Sequence, residues 1–239
     1  MDLKPVGCFF LDSMPDSLKI SELVKLAEKI NDKDLRGKVI DLLSKPSLKF
    51  DSPALPFDEA PGGSYQHHSY RGGLLQHTLA VVRVSMTMCD LVEEVYGGNV
   101  DRDIVLAGAL IHDVYKIYTY EARGEGYAGS GFGDRLDHLS LLVAELYSRG
   151  FPIEVIHVAA AHHGENGPIQ PKSIEALIVH LADLNDSEFS RRTLRAAEYI
   201  LKQSGVAWPR LGSSKEALDL IQAKSIGGWD EARRASGKR

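Results

Sequence analysis

Residues 103–117 read DIVLAGALIHDVYKI, a run in which Ile104, Val105, Leu106, Ala109, Leu110 and Ile111 lead into adjacent His112 and Asp113. The apolar pattern predicts a buried helix, and a histidine–aspartate pair inside one is costly, because a desolvated carboxylate must be compensated or shift its pKa until neutral. A divalent cation is the commonest compensation. Working outward, His77, His138, His162 with His163, and Asp183 fall on other predicted helices. Convergence of donors from several helices is how all-α proteins build metal sites.

The remainder of the chain supports an all-α reading. Leu18, Leu23, Val24, Ala27 and Ile30 form an amphipathic pattern that Ser17 can cap, and Asp32 or Asp34 can start a second with Leu35, Val39, Leu42 and Leu43. A proline- and glycine-rich stretch, 46–63, follows as a loop. The spacing then predicts helices over 74–96, ending at Gly97-Gly98, and from Asp101 or Asp103 to about 116. Further helices are expected over 134–149, from Pro152 to Gly164, and from a Ser173 cap through Asp183. Alternating strand-like runs are missing, so the glycine-dense segment 124–133 reads as a loop, either a lid with Tyr127 and Phe132 or a surface connection. The expected organisation is an N-terminal helical hairpin and linker (1–64), a catalytic domain (65–203), and a tail (204–239) with one helix over 214–223 and a frayed end.

Composition narrows the class. At 239 residues, 44% hydrophobic and 26% charged, the chain can bury a full core. A net charge of −5 argues against an electrostatic nucleic-acid clamp without excluding phosphate held by metal ions. Cys8 and Cys89 are distant and embedded in apolar neighbours, as expected of reduced, packed thiols. No signal-peptide pattern and no run of eighteen apolar residues occurs, so the expected location is cytoplasmic, with no membrane partner.

The donor set defines the chemistry. Imidazoles and carboxylates without thiolates suit Mn²⁺, Fe²⁺, Co²⁺, Ni²⁺ or Zn²⁺ better than Mg²⁺. Seven candidate ligands, His77, His112, Asp113, His138, His162, His163 and Asp183, exceed the needs of one ion with open positions, which favours two ions bridged by Asp113. Paired ions are typical of phosphoryl hydrolysis. His157, on an apolar helix face, reads as a packed residue rather than a ligand.

The order His77, His112-Asp113, His138, His162-His163, Asp183 resembles the HD-domain superfamily of metal-dependent phosphohydrolases, in its variant with extra histidines. More closely, HHSYRGGLLQHTLAVV (67–82), DIVLAGALIHDVYKI (103–117), AAAHHGENGPIQPKSIEA (159–176) and LIVHLADLND (177–186) are similar to the HD domain of YhaM-type 3′-5′ exoribonucleases. The resemblance implies a helical bundle with the metal site between helices, a Mn²⁺-like or Co²⁺-like cofactor, and hydrolysis of a phosphate ester in RNA, oligonucleotides or nucleotides. It implies a first site at His77, His112, Asp113 and Asp183, and a second at His138, His162 and His163 with Asp113 bridging. Lys116 matches the lysine three residues beyond the HD pair and is the candidate to neutralise the scissile phosphate; a solvated helix-end charge is the plainer reading. His67, His68 and His180 are implied as supporting partners. Two features depart from the pattern. Tyr115 replaces a small residue, placing a phenol near the site or displacing a loop, and the first 64 residues lack the strand pattern of the OB-fold those exoribonucleases carry. Three readings follow: a phosphodiesterase or nuclease, a small-nucleotide phosphohydrolase, and a non-catalytic HD module with a structural metal.

Overall fold

The computed structural model describes residues 19–49, 51–65, 67–206 and 210–237. The Ser17 cap and Cys8 lie outside them. Among the described residues there are nine α-helices: α1 (Ile20–Ala27), α2 (Lys33–Ser44), α3 (Gly73–Glu94), α4 (Arg102–Ile111), α5 (Lys116–Thr119), α6 (His138–Ser148), α7 (Ile153–Ala161), α8 (Ile174–Gln203) and α9 (Ser214–Ser236). A two-stranded antiparallel hairpin, β1 (Tyr120–Arg123) and β2 (Gly126–Gly129), follows α5 with Tyr120 opposite Gly129.

Capping chemistry sets several boundaries. Asp32, Asp101 and Ser173 each accept backbone N–H bonds at the start of α2, α4 and α8. The first helix takes its acceptor from a distance: Asp58 Oδ1 receives the Ile20 N–H at 2.8 Å. Asp103, in the first turn of α4, accepts the backbone N–H groups of Asn31 and Asp32, fastening the α1–α2 connection to the core. Cys89 is a buried free thiol in that core.

Helix α3 packs on α4 and α8, and α4 packs in turn on α7. Gly108 permits the last of these contacts, since a Cβ there would meet Val158 Cγ1 at 2.3 Å. Both residues sit one turn before a histidine motif, Gly108 before His112 and Val158 before His162. Close approach of the two helices therefore brings their C-terminal ends together. Gly108→Ala is expected to destabilise the fold by about 1–3 kcal/mol through overpacking. A thermal melt checks this, and adding Val158→Ala should recover much of the loss; an unchanged melting temperature in Gly108→Ala contradicts the packing argument.

Three sequence expectations are corrected. The fourth helix stops at Ile111, and residues 112–115 form turns rather than continuing to 116. The glycine-dense segment is not all loop: it supplies the turn and second strand of the hairpin, whose position is fixed by Tyr127 Oη donating to Glu59 O at 2.7 Å and Ser130 Oγ donating to Tyr118 O at 2.6 Å. The end of the chain is not frayed through Ser236: α9 runs on α8, kinks at Gly228 and buries Ala232 and Ser236.

Candidate metal centre

The HD pair sits where helix geometry helps it. His112 is the C-cap of α4, and its Nδ1 lies 2.9 Å from Ala109 O, a carbonyl left unsatisfied at the helix end. His162 repeats the device at the end of α7, with Nδ1 2.7 Å from Ala159 O. Each bond commits Nδ1–H to a carbonyl and leaves Nε2 as a lone-pair donor facing inward. His77, in the second turn of α3, is oriented by a carboxylate instead: its Nδ1 lies 2.7 Å from Asp186 Oδ2.

These Nε2 atoms converge on Asp113. Oδ2 lies 3.3 Å from His77 Nε2 and 3.4 Å from His112 Nε2, while Oδ1 lies 3.3 Å from His138 Nε2 and 3.6 Å from His162 Nε2. Asp183 Oδ1 joins the first group, 3.2 Å from His77 Nε2. His163 joins the second, with donor atoms of Asp113, His138, His162 and His163 all within 4.8 Å of one another. All seven candidate ligands are thus gathered in one cluster, five of them on the turns and helix ends of α4, α6 and α7.

Apart from the ion pair that Lys116 makes with Asp113 Oδ2, the atoms at its centre lack partners. Both Asp113 oxygens, His138 Nε2 and His162 Nε2 are buried without a well-directed hydrogen bond. Native structures rarely leave such groups orphaned, and a divalent cation satisfies acceptors of this kind without needing a donor. Electrostatics points the same way. Burial would raise the Asp113 carboxyl, but Lys116 and His112 more than reverse this and hold it well below the usual carboxylate range. Burial would lower the His77 pKa, yet Asp113, Asp183 and Asp186 hold it well above the ordinary value. A proton there occupies the place of a cation. Burial, with His162 and His138 adding, pushes His163 down to about 3, and burial likewise lowers His138. Both are therefore neutral donors, as a metal requires.

Lys116 is not a solvated helix-end charge. It is 6% exposed, with Nζ 2.6 Å from Asp113 Oδ2 and donating to Gly62 O at 3.0 Å. Tyr115 does not put its phenol near the cluster; it is fully buried, stacks on Tyr118 and directs its hydroxyl toward Glu145. His180 supports the second histidine doublet, Nδ1 lying 2.7 Å from His162 O, and His157 Nε2 accepts the Lys172 N–H away from the cluster. His68 adopts φ 45°, a left-handed conformation uncommon for a non-glycine residue, with its N–H donated to Ser190 Oγ and Nε2 3.5 Å from Asp186 Oδ2. The loop bearing it passes so close to α3 that a Cβ on Gly73 would meet His68 O at 2.0 Å.

Asp186 is the functional residue that sequence reasoning missed. Three residues beyond Asp183 on α8, it reads as a surface charge until the free Nδ1 of His77 is asked for its partner.

A cavity of about 620 Å³ opens onto the cluster, bordered by His67, Lys116, His162, His163, Asp183 and Arg191. A larger one, about 850 Å³, lies between the hairpin and α8 and touches none of the candidate ligands. Of the two, the first borders candidate ligands, His162, His163 and Asp183.

A helical bundle with its histidines and aspartates gathered in this way is an HD-type hydrolase fold, and comparison with known proteins agrees. The HD domain family matches residues 74–187, and the chain belongs to it. It is similar to a dihydroneopterin 2′,3′-cyclic phosphate phosphodiesterase of Methanocaldococcus jannaschii, 40% identical over 209 residues, covering 86% of this chain and 84% of that one. The 3′-5′ exoribonucleases YhaM of Oceanobacillus iheyensis and Bacillus subtilis are each 25% identical, over 71% and 56% of this chain. The chain spans about half the length of these two, 55% and 44%. No solved structure matches. The chain is accordingly a phosphohydrolase of the HD type, with a cluster able to hold a divalent metal. No helix among the described residues is long and apolar enough to cross a membrane.

Proposed function

We propose that this chain is a metal-dependent phosphodiesterase that opens a 2′,3′-cyclic phosphate on a small polyhydroxylated molecule, giving a phosphomonoester. The observation carrying the reading is the Asp113 carboxylate, whose two oxygens face separate donor sets. His77, His112, Asp113 and Asp183 would hold one ion, and Asp113, His138, His162 and His163 a second. Ions held there supply Lewis acidity, lowering the pKa of water and neutralising phosphate oxygens. The named relative that shares most of this chain's length supports a cyclic phosphodiester as the substrate.

The chain's own residues orient and balance the reaction. Asp186, Ala109 O and Ala159 O fix the histidine tautomers, so the donor geometry is set before substrate arrives. Lys116, buried beside Asp113, offsets carboxylate charge next to the incoming phosphate. In the hydrolysis itself, water oxygen bonds to phosphorus and one of the two ester P–O bonds of the ring breaks. The departing alkoxide takes up a proton, water loses one, and a single phosphomonoester leaves.

Purified protein is expected to carry one or two transition-metal ions per chain and, once loaded with Mn²⁺ or Fe²⁺, to hydrolyse 2′,3′-cyclic phosphates faster than 3′,5′-cyclic nucleotides or 5′-labelled oligoribonucleotides. Chelation should abolish turnover. Progressive shortening of the oligoribonucleotides, with cyclic phosphates untouched, would favour the exoribonuclease reading instead.

A further inference from the structure

Two residues with a fixed positive charge line the cavity over the cluster, Lys116 and Arg191. Lys116 is already committed to Asp113 and Gly62 O. Arg191 is paired with Glu188 through only part of its guanidinium. On α8 it follows Asp183 and Ser187 at successive four-residue steps, so the three share one helix face. Ser187 Oγ donates to Asp183 Oδ1 at 3.2 Å, fixing the near end of that row. Helical side chains lean toward the N-terminus, and Arg191 does so: its Nε donates to Glu188 Oε2 at 2.7 Å on the preceding turn, and Nη2 joins the same oxygen. The guanidinium is thereby held back over the cavity, with part of its five-donor fork still available. Glu188 is also paired with Arg192, whose side chain is 77% exposed, so one carboxylate faces two guanidinium groups and a net positive charge remains.

We propose that Arg191 is a substrate-binding residue, its guanidinium gripping non-bridging oxygens of the phosphate at the mouth of the cluster. The proposal rests on the phosphodiesterase reading above and assigns the phosphate a direction of approach, along the α8 wall. Ring opening turns a phosphodiester monoanion into a monoester that reaches a second negative charge near neutral pH, and a planar, permanently charged fork is suited to that change. Arg191 therefore contributes more to the reacting and product states than to the bound cyclic substrate.

The test is calorimetric titration of inorganic phosphate into Mn²⁺-loaded wild type, Arg191→Gln, Arg191→Lys and Arg192→Gln, with bound metal measured in each. Arg191→Gln should weaken phosphate binding tenfold or more at unchanged metal content, Arg191→Lys should recover part of it, and Arg192→Gln, which removes only a charge that shares Glu188, should weaken it several-fold less than Arg191→Gln. In turnover of bis(p-nitrophenyl) phosphate, Arg191→Gln should lower kcat more than it raises KM. Phosphate binding unchanged in Arg191→Gln overturns the proposal, as does loss of metal from that variant. Because phosphate is titrated without turnover, a wild type that ignores 2′,3′-cyclic phosphates refutes the substrate reading and leaves the Arg191 result to stand or fall by itself.

Discussion

Asp113→Asn is expected to strip the cluster of its ions and lower hydrolysis by about 10³-fold or more, while the helices stay folded. The carboxylate is the one group that faces both donor sets, so neutralising it weakens both at once. Asparagine suits the test better than alanine for a physical reason. Lys116 is buried against Asp113, and removing its partner entirely leaves an uncompensated buried charge, a loss of about 3–5 kcal/mol for a broken buried pair. The asparagine carbonyl keeps an acceptor in place at nearly the same volume. Circular dichroism, elemental analysis and turnover on one preparation separate the effects. Near-normal turnover in a folded Asp113→Asn protein would refute the assignment of Asp113.

Much of this was legible because the deciding residues break local rules. Histidine and aspartate at the end of an apolar run are costly in isolation, so His112-Asp113 announces a compensating group from sequence alone. The Ser173 cap was equally readable, and the caps of α2 and α4 were narrowed to two aspartates each, of which Asp32 and Asp101 take the role, since each is a short polar side chain before an apolar periodic run. What escaped depends on tertiary contacts. The hairpin has two four-residue strands with three glycines in and between them, too little for an alternation to register, and it is fastened by bonds from Tyr127 and Ser130 to the carbonyls of Glu59 and Tyr118, outside the strands. The segment after the expected 214–223 helix read as frayed, yet Ala232 and Ser236 are buried by the helix that continues beyond the kink at Gly228. The turn at residues 112–115 escaped because its apolar residues, Val114 and Tyr115, keep the helical pattern going in sequence.

His138→Ala is expected to remove one ion per chain and cut the rate by about 10²-fold or more, with the ion at His77, His112, Asp113 and Asp183 retained. The residue is well placed for a clean test. It is the first residue of α6, after the Asp137 cap, so truncating it disturbs little beyond the cluster. Its ring stands 5.1 Å from that of His163 and 6.0 Å from that of His162, and its Nε2 faces Asp113 Oδ1. Burial keeps His138 and His163 from taking up a proton, and the buried Nε2 atoms of His138 and His162 beside that carboxylate oxygen make no well-directed hydrogen bond. A cation resolves the arrangement, accepting a lone pair from each. A site with one ion would use the same histidines to touch the phosphate or move a proton, and His138→Ala would then lower the rate at unchanged metal content. Metal analysis of wild type and variant side by side decides between the two. Equal stoichiometry in a folded variant rules out a second ion at His138, whereas loss of a single ion together with most of the activity assigns this half of the cluster to the chemistry.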